Sequence, residues 1–317
     1  MVKKQAAAIS AGAVPKKKGL FSEYYKNRYL FLLFLPVLIY FLVFHYGSMY
    51  GIIIAFKDYF PRKGILGSEW VGLTHFKKLF SGMYFGTALR NTLIISLYKI
   101  IFGFPAPILL AMLLNEVRSQ KFKKTVQTIT YLPHFISWVV LAGIVIEFLS
   151  PSRGLVNYII QFFGGEPIFF VGSTEYFRGV IVGSSIWRDI GWQSIVFLAA
   201  MSGIDPELYD VADIDGASRI GKIVNITLPS ILPVIVIMFI FTSGSIINDD
   251  FDQIYNLLNS KVASVGEVIS TYTYEEGITK LNYSYATAVG LFKNVISLIV
   301  VSLTNWLSRR LTDNSLW

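Results

Sequence analysis

The 317-residue chain has no cysteine, and its three histidines, His45, His75 and His134, stand far apart. That excludes a disulfide framework, a thiol nucleophile and a His/Cys metal cluster. Charge is also scarce: Asp, Glu, Lys and Arg make up 15% of the residues, against about 25% in ordinary soluble domains. There is no nucleophile-elbow serine, no Gly-rich phosphate loop and no catalytic pair of carboxylates; Gly64, Gly67 and Gly72 are loop glycines without the spacing of a phosphate cradle. Catalysis by this polypeptide itself is not expected. The excess of 28 Lys and Arg over 20 Asp and Glu, +8 in all, lies mostly beside apolar runs and is not interleaved with stacking aromatics. It reads as membrane topology, not nucleic-acid binding.

What the chain has in abundance is apolar sequence, 54% of residues with a mean hydropathy of +0.55. Six apolar runs are expected to cross a bilayer, at about 29–56, 91–114, 135–149, 176–201, 231–247 and 283–307. The fold class is therefore an all-α polytopic membrane protein. The first run is far longer than a signal-peptide core, so it is expected to remain as a span behind a basic tail, 1–28. That tail and the Arg309–Arg310 pair put both termini in the cytoplasm by the positive-inside rule, with a six-span domain at 29–310 and a short tail at 311–317. The outer loop 57–90 carries Lys57, Arg62, Lys63, Lys77, Lys78 and Arg90 against that rule, and the span count outweighs it. Surface helices are expected around Phe76–Phe80 and over 155–163. Pro105 and Pro107 should distort the second span.

Charged side chains within spans are costly unless they are paired or face water, so Lys99, Arg188 and Lys293 are candidates for a substrate pathway. Trp187 and Trp192 offer flat faces on which a sugar ring can stack, and Asp249 completes the candidate set. Snorkelling and helix-to-helix pairing compete as explanations for each of these residues.

One long polar stretch, DPELYDVADIDGASRIGKIVNITLP at 205–229, separates two membrane-grade runs. Asp205 suits an N-cap, Pro206 the first helical position and Glu207 the positive end of the helix dipole. Spacings of three and four set Leu208, Val211 and Ala212 on an apolar ridge beside Asp210 and Asp213. Gly216 offers the exit from this helix. A second helical pattern runs from Ala217 toward Ile226 and is expected to stop before Leu228 and Pro229.

This stretch resembles the cytoplasmic coupling loop of the permease subunits of binding-protein-dependent ABC importers. Their pattern is Glu-Ala-Ala, three residues, Gly, nine residues, then Ile-x-Leu-Pro. The matching positions are Asp210, Val211, Ala212, Gly216, Ile226, Leu228 and Pro229, with Asp for the Glu and Val for the first Ala. Other stretches, among them SEWVGLTHF, RNTLIISLYKIIFGFPAPILLAMLLNEV and TITYLPHFISWVVLAGI, look like the carbohydrate branch of that family. The likeness, greatest to the alginate-oligosaccharide importers, covers nearly all of the chain after residue 28.

The resemblance implies the ABC importer permease fold in a bacterial cytoplasmic membrane. It implies docking onto an ATPase through Leu208, Asp210, Val211, Ala212, Gly216, Leu228 and Pro229. The implied partners are a second, homologous permease, two ATPase subunits and an extracytoplasmic solute-binding protein; no cofactor belongs to this chain, because ATP and Mg sit on the ATPase. An acidic, alginate-derived oligosaccharide is the implied cargo, with another oligosaccharide as the alternative. An ion-coupled secondary transporter is the more distant alternative, and it would need ion sites and related halves that are not visible.

Overall fold

The computed structural model describes residues 27–245, 247 and 250–312, without the side chains of 311 and 312. Residues 1–26 of the expected N-terminal tail, Asp249 and residues 313–317 lie outside the described residues. The chain forms two units, one ending at Ile53 and one beginning at Ile54.

Helix α1, Arg28–Phe56, has 29 residues, about 43 Å of rise against a hydrocarbon core of about 30 Å. It stays α-helical across Pro36 and then widens into a π-turn at Phe41–Tyr46 before tightening to a 3-10 helix over Tyr50–Phe56. Two short antiparallel strands follow, Lys57 opposite Trp70 and Asp58 opposite Glu69. Helix α2, Thr74–Ser81, is the short helix expected from Phe76, Leu79 and Phe80.

Helix α3, Met83–Glu116, begins eight residues earlier than the expected second span, so the expected outer loop 57–90 is shorter than its sequence suggests. Pro105 has no N–H to offer the preceding turn. A π-turn at Lys99–Gly103, closed by the Phe104 N–H donating to the Lys99 carbonyl at 3.1 Å, takes up the mismatch, and the helix continues past both prolines.

The expected third span, 135–149, is nearly coextensive with one helix, and a second helix precedes it at a sharp bend. α4, Gln120–Phe135, meets α5, Trp138–Phe148, at 110°. The 11 residues of α5 rise about 16 Å, roughly half the hydrocarbon thickness. α6, Leu155–Phe162, is the second expected surface helix. Helix α7, Phe177–Ser202, has 26 residues, about 39 Å. It is long enough to span, but its polar middle, with Arg188 and Asp189, keeps it out of the set of helices apolar enough to be counted as spans.

The longer of the remaining helices are α8 Pro206–Ile214, α9 Arg219–Gly244, α10 Phe251–Leu257, α11 over 269–279 and α12 Tyr283–Thr312. Among the described residues four helices, α1, α3, α9 and α12, are long and apolar enough to cross a membrane, and the bent α4–α5 pair makes up to five.

Helix α3 contributes to three separate cores. Ile95 packs with Trp138 and Leu141 of α5, Ile181 of α7 and Ile254 of α10. Phe85 and Ala88 pack with Leu79, Ile269 and Val289, and Ile108 and Ala111 with Phe197, Met201 and Ile231. Buried Asn91 of α3 donates to the Ser264 and Glu267 carbonyls at 3.1 and 3.0 Å and accepts from Arg178 of α7 at 2.9 Å. At the crossing of α7 over α4, a Cβ on Gly191 would overlap the Thr130 carbonyl. Gly191→Ala is therefore expected to destabilise the protein by about 1–3 kcal/mol through overpacking. The purified complex should show this as a lower Tm; an unchanged Tm contradicts the close crossing.

Candidate functional site

The polar segment 205–229 folds largely as its local signals direct. The Asp205 carboxylate accepts from the Glu207 N–H at 3.0 Å, and Pro206 opens α8. Gly216 leaves the helix at φ +72°. Its N–H donates to the Asp213 carbonyl at 3.1 Å and the Ala217 N–H to the Ala212 carbonyl at 2.9 Å, the paired closure that a left-handed glycine permits. Ser218 then caps α9 by accepting from the Gly221 N–H at 3.1 Å.

The expected stop before Leu228 and Pro229 does not occur. A π-turn at Ile223–Thr227 lets the Leu228 N–H reach the Ile223 carbonyl, so α9 passes Pro229 without a break. The same device appears at Pro105. As a result α8 is tied to a long apolar helix and not to a separate short one. The Tyr209 hydroxyl lies 2.8 Å from Thr227 Oγ1, and Lys222 Nζ stands 2.7 Å from Asp213 Oδ1.

Leu208, Val211 and Ile214 are left 49%, 58% and 86% exposed. Asp210 is exposed beside them, Ala212 and Leu228 are half-buried, and Pro229 is exposed. Asp213, the other acid expected beside the ridge, is paired within the chain with Lys222. Tyr209, Lys222 and Thr227 were not among the expected site residues, since their partners lie nine and eighteen positions away.

A second feature is a cavity of about 270 Å³ between α3, α7 and the end of α9, with Ser96, Lys99, Asp189, Gln193, Thr242 and Asp250 on its wall. The π-turn of α3 starts at Lys99. Its Nζ donates to Asp250 Oδ2 at 2.9 Å and to Gln253 Oε1 at 2.8 Å. Gln253, fully buried, is held by the Ile181 carbonyl at 2.7 Å and Ser184 Oγ at 2.9 Å. Every polar atom of that amide is thus committed, which fixes where Lys99 points.

Arg188 stands 3.8 Å from its neighbour Asp189, whose nearer partner is His134 Nδ1 at 2.9 Å. Arg188 sits 4.8 Å over the Trp138 ring, and its Nε has no hydrogen-bond partner among the described residues. Trp192 stacks flat on His134 with centroids 4.7 Å apart.

The expected pathway residues are therefore not all brought together. Lys99 lines the polar cavity, and Arg188 and Trp192 border it through Asp189 and His134. Trp187 faces an apolar groove instead. Lys293 lines a different cleft of about 870 Å³ beside Tyr59, Phe251, Tyr274 and Tyr283. Asp249 lies outside the described residues. Beyond the spans, burial opposes ionisation of Glu276, but hydrogen bonds from Lys280 at 2.8 Å and Asn282 at 3.0 Å outweigh it and hold its carboxyl below the usual range. Burial, reinforced by Glu275, pushes Glu267 up.

Residues 103–313 match the family described as the binding-protein-dependent transport system inner membrane component. The chain belongs to this family. It is 44% identical over 99% of its length to 98% of the polygalacturonan/rhamnogalacturonan transport system permease protein YteP of Bacillus subtilis strain 168. It is 31% identical, over 92% of its length, to 90% of the arabinooligosaccharides transport system permease protein AraP of the same organism. Among solved structures, it matches a chain of a bacterial alginate ABC transporter in complex with an alginate pentasaccharide-bound periplasmic protein. The TM-score there is 0.87 at 40% identity, covering 94% of this chain and 100% of that one. A second structure, of a bacterial ABC transporter that imports the acidic polysaccharide alginate, matches with a TM-score of 0.86 at 41% identity. The chain is thus a multi-pass membrane permease subunit of a sugar ABC importer, and the transport class replaces the secondary-transporter alternative.

Proposed function

We propose that this permease forms half of the translocation pathway for acidic oligosaccharides, with alginate fragments as cargo. The observation that carries this reading is the match over the full length of a chain from an alginate importer. A second cargo, fragments of polygalacturonan or rhamnogalacturonan, is favoured by the relative of 44% identity named for those polymers. Both readings put a carboxylated sugar beside the cavity at Lys99.

The assembly we propose pairs this chain with a homologous, non-identical permease in the bacterial cytoplasmic membrane. Two ATPase subunits carrying ATP and Mg bind beneath, and a solute-binding protein delivers sugar from outside. The domain division of the sequence reading, tails at 1–28 and 311–317 around a 29–310 membrane domain, is kept. α8 is the docking element: its exposed Leu208, Val211 and Ile214 form an apolar ridge, Asp210 is left for a basic partner, and its ties to α9 carry displacement into the membrane. Native mass measurement of the active complex should find both permeases; two copies of this chain without a second permease contradict the pairing.

Uptake by whole importer in vesicles should be faster for alginate and polygalacturonate oligomers than for neutral arabino-oligomers of equal length. Preference for the neutral set rejects the acidic-cargo reading. For topology, the cysteine-free chain allows single cysteines to be labelled without background. Positions 10, 115, 219 and 316 should react only from the cytoplasm, and positions 67, 165 and 265 only from outside. Labelling of 67 and 219 from one side defeats the six-span arrangement with both termini inside.

A further inference from the structure

The cleft at Lys293, about 870 Å³ in volume, is separate from the polar cavity at Lys99. Its size falls within the range of about 300–1,000 Å³ common to small-molecule sites. Tyr283, Thr287, Gly290 and Asn294 recur at spacings of three and four along α12, so with Lys293 they form one stripe down one wall. Thr273 and Tyr274 of α11 form another wall. Tyr59 and Pro61 stand at the mouth. The Tyr59 N–H donates to Ser284 Oγ at 2.9 Å and its ring meets Tyr283 edge-on, which holds this loop against the head of α12.

Lys293 lies ten residues into α12, about 15 Å of rise from Tyr283 and near the middle of a hydrocarbon core about 30 Å thick. A lysine and an asparagine at that depth are costly against lipid, so the stripe that carries them faces water or protein. Among the described residues that line the cleft, none is acidic. What surrounds Lys293 is aromatic and hydroxylated. Phe251 and Tyr274 pack against Tyr255 with centroids 5.1 and 5.3 Å away, and Tyr274 is 37% exposed. Thr273 and Thr287 donate to backbone carbonyls at 2.6 and 2.7 Å, which leaves both oxygens able to accept. Flat rings interleaved with hydroxyls and an amide suit a sugar. A membrane helix of another subunit would set apolar side chains against those polar groups instead. Arg62 and Lys63, exposed beside Pro61, add positive charge at the mouth. Among the described residues neither has a carboxylate at ion-pair distance. They are two of the cations that the positive-inside rule disfavours in an outer loop, and attraction of an anionic cargo accounts for them.

We infer that this cleft is an outer subsite for the acidic oligosaccharide, with a uronate carboxylate at Lys293, a ring against Tyr274, and the rest of the sugar chain leaving past Tyr59 toward Arg62 and Lys63. The inference rests on the proposed acidic cargo and on the proposed topology, which puts 57–90 outside. Phe251 of this cleft follows Asp250, the partner of Lys99, so the subsite and the polar cavity adjoin at the start of α10.

The test uses the assembled permease and ATPase complex in right-side-out vesicles, without the solute-binding protein. Gly290→Cys is the reporter, since a Cβ there meets open space and the natural chain has no cysteine. A membrane-impermeant maleimide should label it from outside, read on this chain by mass. Alginate trisaccharide should slow the labelling, and arabinotriose should not. Lys293→Met should raise the half-protecting trisaccharide concentration about 10-fold or more, with Lys293→Arg near the parent value. Tyr274→Leu should raise it about fivefold, and it keeps the test standing if Lys293→Met does not assemble. Absence of labelling, in a complex that imports sugar once the binding protein is added, shows another subunit in the cleft and overturns the subsite. Labelling that the trisaccharide does not slow overturns it too, as do parent values in both Lys293→Met and Tyr274→Leu. When uptake still favours acidic oligomers in those cases, the subsite alone fails. Equal protection by arabinotriose together with neutral preference in uptake overturns the subsite and the cargo reading, and labelling only from the cytoplasm overturns the subsite and the topology.

Discussion

Ala212→Glu should abolish sugar-dependent ATP hydrolysis and uptake while leaving membrane insertion and sugar delivery to the outer face intact. Ala212 lies half-buried behind the exposed ridge of Leu208, Val211 and Ile214, so a larger acid there has no room once a partner closes over α8. A charge buried without a counterpart costs about 3–5 kcal/mol, a loss of at least ~100-fold in the association of permease with ATPase. Gly216→Val should act by another route. There is open space around the position a Cβ would take, so its cost comes from the positive φ of +72° alone, about 1–2 kcal/mol for a residue with a Cβ. Asp210→Asn should be mild, because an exposed pair contributes roughly 0–1 kcal/mol. Insertion, ATPase association, ATP turnover and sugar uptake have to be measured on the same preparations. Normal uptake by stably assembled Ala212→Glu removes α8 from the coupling path, and loss of insertion before assembly assigns the segment a folding role.

Lys99→Met should slow uptake of acidic oligosaccharides by about 10-fold or more, with neutral oligomers changed little. A hydrogen bond to a charged group contributes about 1.5–3 kcal/mol, which sets that scale. Lys99 is held by Asp250 and Gln253 at the cavity wall, so a sugar carboxylate competes with Asp250 for it. Asp250→Asn removes the competing charge and should leave apparent affinity for acidic cargo unchanged or improved. The two substitutions thus differ in their effect on one substrate. If both reduce acidic and neutral uptake equally, the pair is a structural clamp between α3 and α10 and does not read the cargo.

The polar segment was legible because its signals are local. An Asp before a Pro, acid in the first turn and a glycine at the exit specify a capped helix from within twelve residues, Asp205 to Gly216, and the structure has each of them. The π-turns before Pro105 and Pro229 were not legible. Pro105 and Pro229 announce a disturbed helix, but whether the helix breaks or widens depends on the packing around it, and here α3 and α9 continue. The third apolar run looked like a whole span, yet it forms only the 11-residue α5, and the bend after Pro133 sets α4 at 110° to it. The polar cavity depends on contacts separated by more than 150 positions, such as Lys99 with Asp250, which no periodicity encodes. For the same reason Trp187, Arg188 and Trp192, close in sequence on α7, face an apolar groove, the Trp138 ring and His134 respectively. Intramembrane charge led to the polar cavity in the case of Lys99, but it could not separate Lys99 from Lys293, which lines another cleft.

The measurement that bears most directly on the account is photocrosslinking from position 211. Val211 is exposed on α8, and the natural chain contains no cysteine to confuse attachment of a reactive probe. In the intact, transport-active complex, a probe on Val211→Cys should crosslink to the ATPase subunit, and the yield should change between nucleotide-free and ATP-bound states. Crosslinking to the solute-binding protein, or to no ATPase in a complex that still imports sugar, would contradict the assignment of α8 as the coupling element.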